Sequence, residues 1–133
     1  MSLDTADQIE IQQLYARYNT AIDTGDGETF AGCFTLDGHF DSGVAQVDGR
    51  KDIAAFATKT HAAMPGMRHN ATNIVVDGVV DSNGVSSAKG SAFLIGYLVD
   101  GGYKVIVTGR YHDELAKTDD GWRFTKRVFK ADS

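Results

Sequence analysis

Proline occurs once, at Pro65, and cysteine once, at Cys33. A single cysteine excludes an intramolecular disulfide and any cysteine-based metal site. Cys33 therefore reads as a small buried apolar residue. No apolar run is long enough to cross a bilayer, and no basic start leads into a secretory apolar stretch, so a cytoplasmic location is expected. Positive charge is also scarce. Thirteen Lys and Arg face eighteen Asp and Glu, a formal charge of −5. That balance argues against nucleic acid and against anionic membranes as partners. What is present is 133 residues with 42% apolar side chains. This suffices for one domain, residues 1–133, with its own core.

The apolar spacing changes period along the chain. Ile11, Leu14, Tyr15, Tyr18 and Ile22 recur at helical intervals and predict a helix from about Thr5 to Asp23. Thr5-x-x-Gln8 has the form of a capping box, and Gly25 and Gly27 stop the helix. Asp26 can cap a short second helix that buries Phe30, Cys33 and Phe34. Short extended segments follow from Leu36 to Asp48, with Phe40, Val44 and Val47 apolar. A third helix is expected over about Arg50–Ala63, with Ile53, Phe56 and Ala57 on its stripe, and Pro65-Gly66 ends it.

From Met67 the pattern becomes extended. Runs at about 67–80, 85–99, 103–117 and 122–130 are separated by Ser82-Asn83-Gly84, Asp100-Gly101-Gly102 and Asp119-Asp120-Gly121. Asn-Gly is the preferred two-residue hairpin dipeptide, so an antiparallel meander follows. Strands this long must twist and curl. The expected fold class is α+β: a curled antiparallel sheet with three N-terminal helices, the first plugging the concave face through Tyr15 and Tyr18. Incomplete plugging leaves a pocket.

Two acid–base side chains stand at element ends. Asp23 closes the first helix and His69 opens the first long strand. A carboxylate that orients an imidazole makes a general base. His39, His61 and His112 read as surface residues, and no histidine pair has a recognised metal spacing. Tyr15, Asn19 and Asp23 lie one helical turn apart and follow one helix face. No Gly-rich segment forms a strand-to-helix phosphate loop, and no serine sits in a nucleophile elbow.

The ordered set Gln13-Leu14-Tyr15, Ile22-Asp23, His69-Asn70-Ala71-Thr72-Asn73 and Asp120-Gly121-Trp122-Arg123-Phe124 resembles the SnoaL-like branch of the NTF2-like superfamily. The resemblance spans roughly residues 5 to 131. It implies a cone-shaped α+β barrel with a pocket between the first helix and the sheet. It also implies an Asp–His pair, as in the dehydratase and dehydrochlorinase members, at Asp23 and His69. Dehydrochlorinase-like members carry a pocket arginine near the last hairpin. Here that stretch reads Lys117-Thr118, which counts against dehydrochlorination, and Arg110 or Arg127 are the cations available to replace it.

The reading is a cofactor-independent, metal-free lyase or isomerase acting on a hydrophobic cyclic molecule, with His69 as base and Asp23 as its partner. Strand alternation gives Met67, His69, Ala71 and Asn73 one face, and assigns Phe93 and Tyr97 to the concave face. Tyr15, Asn19, Phe34, Phe56, Thr108, Arg110 and Phe129 complete the expected lining. Alternatives are a non-catalytic binding or assembly module and a ring-hydroxylase small subunit. The convex face is expected to pair copies of the chain into a homodimer or higher oligomer.

Overall fold

The computed structural model describes residues 3–132. Three helices, α1 (Thr5–Thr24), α2 (Gly27–Gly32) and α3 (Gly49–Ala63), lie against a curled sheet. Its strands are β1 (Phe34–Asp41), β2 (Gln46–Asp48), β3 (Met67–Asp81), β4 (Gly84–Leu98), β5 (Lys104–Thr118) and β6 (Gly121–Ala131). The sheet order is β2-β1-β6-β5-β4-β3. β3 to β6 form the expected antiparallel meander. The sheet is not wholly antiparallel, however: β1 runs parallel to β6. β1 enters from the helical half of the chain, so no hairpin dictates its direction.

The apolar stripe of α1 is the core. Ile11, Leu14, Tyr15, Tyr18 and Ile22 are all buried against the concave surface. Small residues on β4 make room for them. Ala88 and Ala92 are buried, and a Cβ at Gly90 would lie 2.4 Å from the Tyr15 hydroxyl. The helix starts differently from the expected capping box. Asp4, one residue earlier, is the N-cap, and its carboxylate accepts from the Asp7 N–H at 2.7 Å. Asp26 caps α2 through the Thr29 N–H at 3.0 Å.

The last hairpin is strapped to the start of α1. Asp7 Oδ1 accepts from Trp122 Nε1 at 3.0 Å and from Lys117 Nζ at 2.9 Å, while Glu10 accepts from the Trp122 N–H. Trp122 and Lys117 are thus structural ties, and Lys117 does not stand in for a pocket cation. The Trp122 hydrogen bond, then Lys117, holds the Asp7 carboxyl below its usual range. A depressed carboxyl stabilises the fold above the ordinary Asp value of about 3.9, and that contribution is lost as pH falls through the lower folded value. Asp7→Asn is therefore expected to lower the urea midpoint at neutral pH, with the gap to wild type closing below about pH 4. A gap independent of pH would show that the carboxylate charge is irrelevant.

Candidate functional site

α1 ends with a left-handed turn. Gly25 sits at φ 76°, where glycine carries no steric penalty, and the Asp26 N–H returns to the Ala21 carbonyl at 2.9 Å. A Cβ at Gly25 would also lie 2.7 Å from the His61 ring, so the turn has no room for a side chain. This closure fixes Asp23 in the last turn of the helix, facing the first residues of β3. There its two oxygens are both used. Asp23 Oδ2 accepts from the His69 backbone N–H at 2.8 Å, and Oδ1 lies 2.6 Å from His69 Nδ1. Both side chains are largely buried, at 11% and 13% exposure. The carboxylate thus holds the strand and the imidazole together. With Nδ1 donating to Asp23, Nε2 is left as the free acceptor.

His69 lines a cavity of about 460 Å³ between α1, α3 and the sheet. α1 supplies Tyr18 and Ile22; α3 and its end supply Phe56, Thr60 and Met64. The strands supply Phe40, Met67, Leu94, Ile106, Val107, Tyr111, Phe129 and Ala131. Ser42, Gly43 and Val44, from the β1–β2 turn, complete the wall. The surface is apolar apart from the imidazole and a few hydroxyls.

Of the expected lining, Phe56, Met67 and Phe129 face this cavity and the others do not. Tyr15 and Phe34 are core residues, buried away from the cavity. Asn19 is buried beside them on the same helix face, and its Oδ1 has no partner among the described residues. The cavity is met by the adjacent stripe of α1, Tyr18 and Ile22. Phe93, Tyr97, Thr108 and Arg110 correct the face assignment, because all four belong to the convex side. His69 pairs with Gly96 and Ala71 with Leu94, so the even positions of β4 point inward. Phe93 is 41% exposed and carries Arg110 over its ring at 5.1 Å. Thr108 pairs with Ile95 and donates to Asp132 at 2.9 Å, and Tyr97 packs on Tyr103. Asn73 is likewise exposed. It adopts φ 53° at a bulge, where β3 gains one residue against β4 and its inward positions switch from Ala71 to Ile74 and Val76.

Beneath the cavity floor lies Arg127, which the sequence offered only as a spare cation, in a buried cluster that sequence reasoning missed. It is 1% exposed and pairs across β5 and β6 with Asp113, Nε to Oδ1 3.0 Å. Asp113 Oδ2 also accepts from the Tyr15 hydroxyl at 2.5 Å. The guanidinium is walled by aromatic rings, with Cζ 3.5 Å from the Tyr111 centroid and 4.3 Å from that of Tyr18. Burial opposes its charge most strongly, but Asp113 together with Tyr18, Tyr111 and Tyr15 outweighs that and keeps Arg127 a cation. Burial likewise pushes Asp113 up, against the pull of Arg127. Elsewhere, burial raises the Cys33 thiol to about 11, which makes it a poor nucleophile at neutral pH. His39 pairs with Asp48 at 2.6 Å on the outer strands, away from the cavity.

A family model described as a SnoaL-like domain matches residues 4–128. The chain belongs to the SnoaL-like family. No curated protein matches it. Among solved structures, this SnoaL-like chain is similar to an Asp-to-Asn variant of a protein of unknown function from Mycobacterium tuberculosis. Identity is 35%, over 96% of this chain and 72% of that one, with a TM-score of 0.83. It is 30% identical to a protein from Novosphingobium aromaticivorans named as a putative aromatic ring hydroxylase, over 97% and 91% of the two chains, TM-score 0.81. A putative scytalone dehydratase from the same organism shares the fold at 18% identity, 96% and 85% coverage and TM-score 0.78. The SnoaL-like chain thus has the NTF2-like, or cystatin-like, α+β cone. Among the described residues no helix is long and apolar enough to cross a membrane.

Proposed function

We propose that this SnoaL-like protein is a cofactor-independent lyase or isomerase that removes a proton from carbon on a hydrophobic cyclic molecule. The observation that carries the reading is the double grip of Asp23 on His69 at the wall of an apolar cavity. Nε2 takes the proton. Asp23 fixes the tautomer and stabilises the imidazolium that forms. The apolar walls exclude water, which strengthens each remaining polar interaction. The putative scytalone dehydratase among the fold relatives is consistent with elimination. The test is wash-in of deuterium from D2O at the carbon next to the carbonyl of small cyclic ketones, followed by NMR. Exchange above the buffer rate supports the base. Binding without exchange would favour a non-catalytic ligand carrier.

A dimer is part of the same proposal. On the convex face Phe93, Ile95 and Val105 are 41%, 39% and 58% exposed, on adjacent β4 and β5. An apolar patch of this kind on a sheet face fits a second copy. Phe93→Glu with Ile95→Lys is expected to give monomers by sedimentation. A wild-type protein that already sediments as a monomer would refute the pairing.

A further inference from the structure

We propose that Tyr111 is the second polar contact for the ligand, donating a hydrogen bond to a carbonyl or phenolic oxygen, with Arg127 stacked beneath its ring as a positioning residue. The proposal deepens the reading of the cavity as a site for an oxygenated cyclic molecule and rests on it.

The cavity has few polar groups. Besides His69, the polar residues that line it are Ser42, Thr60, Tyr18 and Tyr111. Ser42 is spent on its own turn, where Oγ donates to the Ala45 carbonyl at 3.2 Å and accepts from the Ala45 N–H at 3.1 Å. Thr60 belongs to α3, on the other side of the cavity from the sheet. The two tyrosines form the buried floor, 1% and 3% exposed, their rings edge to face at 6.0 Å.

Tyr111 has what a donor to a developing anion needs. It stands on a strand, held between its partner Phe129 and the guanidinium of Arg127. Burial raises its phenol, against Arg127 and Tyr18, so it keeps its proton at neutral pH. The cation against its ring favours negative charge arriving at its oxygen. Arg127 is well placed for this because its Nη1 and Nη2 have no hydrogen-bond acceptor among the described residues. Its charge is shared with rings rather than consumed by a second carboxylate.

The chemistry balances without any co-reactant. His69 Nε2 accepts the proton as the C–H bond breaks. The released pair becomes the new C=C bond, and the carbonyl π pair moves onto oxygen. Tyr111 donates a hydrogen bond to that oxygen without giving up its proton. Return of the proton from His69 to another carbon completes an isomerisation. Departure of a β-hydroxyl, carrying that same proton away as water, completes a dehydration.

The test uses 4-nitrophenol, whose phenolate resembles the enolate in charge and shape. Its affinity is measured by absorbance at pH values on either side of its ionisation. Wild type is expected to bind the phenolate roughly 10- to 100-fold more tightly than the phenol, as for hydrogen bonds to charged groups. Tyr111→Phe is expected to abolish that preference, weakening phenolate binding by roughly 10-fold or more and phenol binding by less. A Tyr111→Phe protein that keeps the preference overturns the assignment. If that variant does not fold, wild type decides alone, since equal affinity for both forms overturns it. A protein that prefers phenolate through Tyr111 yet exchanges no carbon-bound deuterium keeps this assignment and refutes the base.

Discussion

His69→Gln is expected to lower the rate of carbon deuterium exchange, or of turnover once a substrate is in hand, by roughly 10²- to 10⁴-fold, the usual worth of a positioned general base. Glutamine is of similar size and keeps the β3 backbone, so the Asp23 bond to the residue 69 N–H survives. The loss should therefore fall on the rate and not on ligand affinity or thermal stability. Asp23→Asn tests the partner by a different route. Of the two amide atoms, the oxygen can still accept from the backbone N–H at 2.8 Å, which turns the NH₂ toward Nδ1. Nδ1 must then accept, the ring proton moves to Nε2, and the base is blocked in the wrong tautomer. Asp23→Asn should be impaired about as severely as His69→Gln, with the backbone contact intact. If both variants exchange deuterium at the wild-type rate, the dyad is structural.

Arg127→Met is expected to cost about 3–5 kcal/mol, because it leaves Asp113 charged and unpaired in the core. In a domain of this size that is a fall of roughly 10–20 °C in the thermal midpoint. The cost is one of imbalance. Adding Asp113→Leu to Arg127→Met removes both charges and should recover most of the loss, leaving the Tyr15 hydroxyl as the remaining unsatisfied group. The comparison is made by urea denaturation of the two single variants, the double variant and wild type. A single variant within about 1 kcal/mol of wild type would mean that water or a neighbouring group reaches Asp113.

Much of this architecture is legible in the chain. The helical spacing of α1 and the turn dipeptides between the long strands place those elements to within a residue or two of their observed ends. The positions of Asp23 and His69 are legible for the same reason, since each sits at an element end that glycine or proline marks. The cavity walls are harder to read. Which face of β4 looks inward depends on register with β3, and the large residues mislead. Phe93 and Tyr97 carry the bulk but face outward, while Ala92, Leu94 and Gly96 face in because a helix presses on that surface. The alternation of small residues Ala88, Gly90 and Ala92 was the available signal. Arg127 has no such mark. Between Lys126 and Val128 nothing marks it as buried, and only the register of β5 against β6 brings Asp113 opposite it.

The two oxygens of Asp23 end on different atoms of one residue, a ring nitrogen and a main-chain amide, 46 positions away in sequence. Neither the helix nor the strand contains a working base by itself. A collapsed, acid-expanded form with full far-ultraviolet dichroism but loosened helix–sheet contacts would be chemically inert. Catalytic competence in this protein would thus report tertiary assembly and not helix content, and on refolding it should return only with the near-ultraviolet aromatic signal.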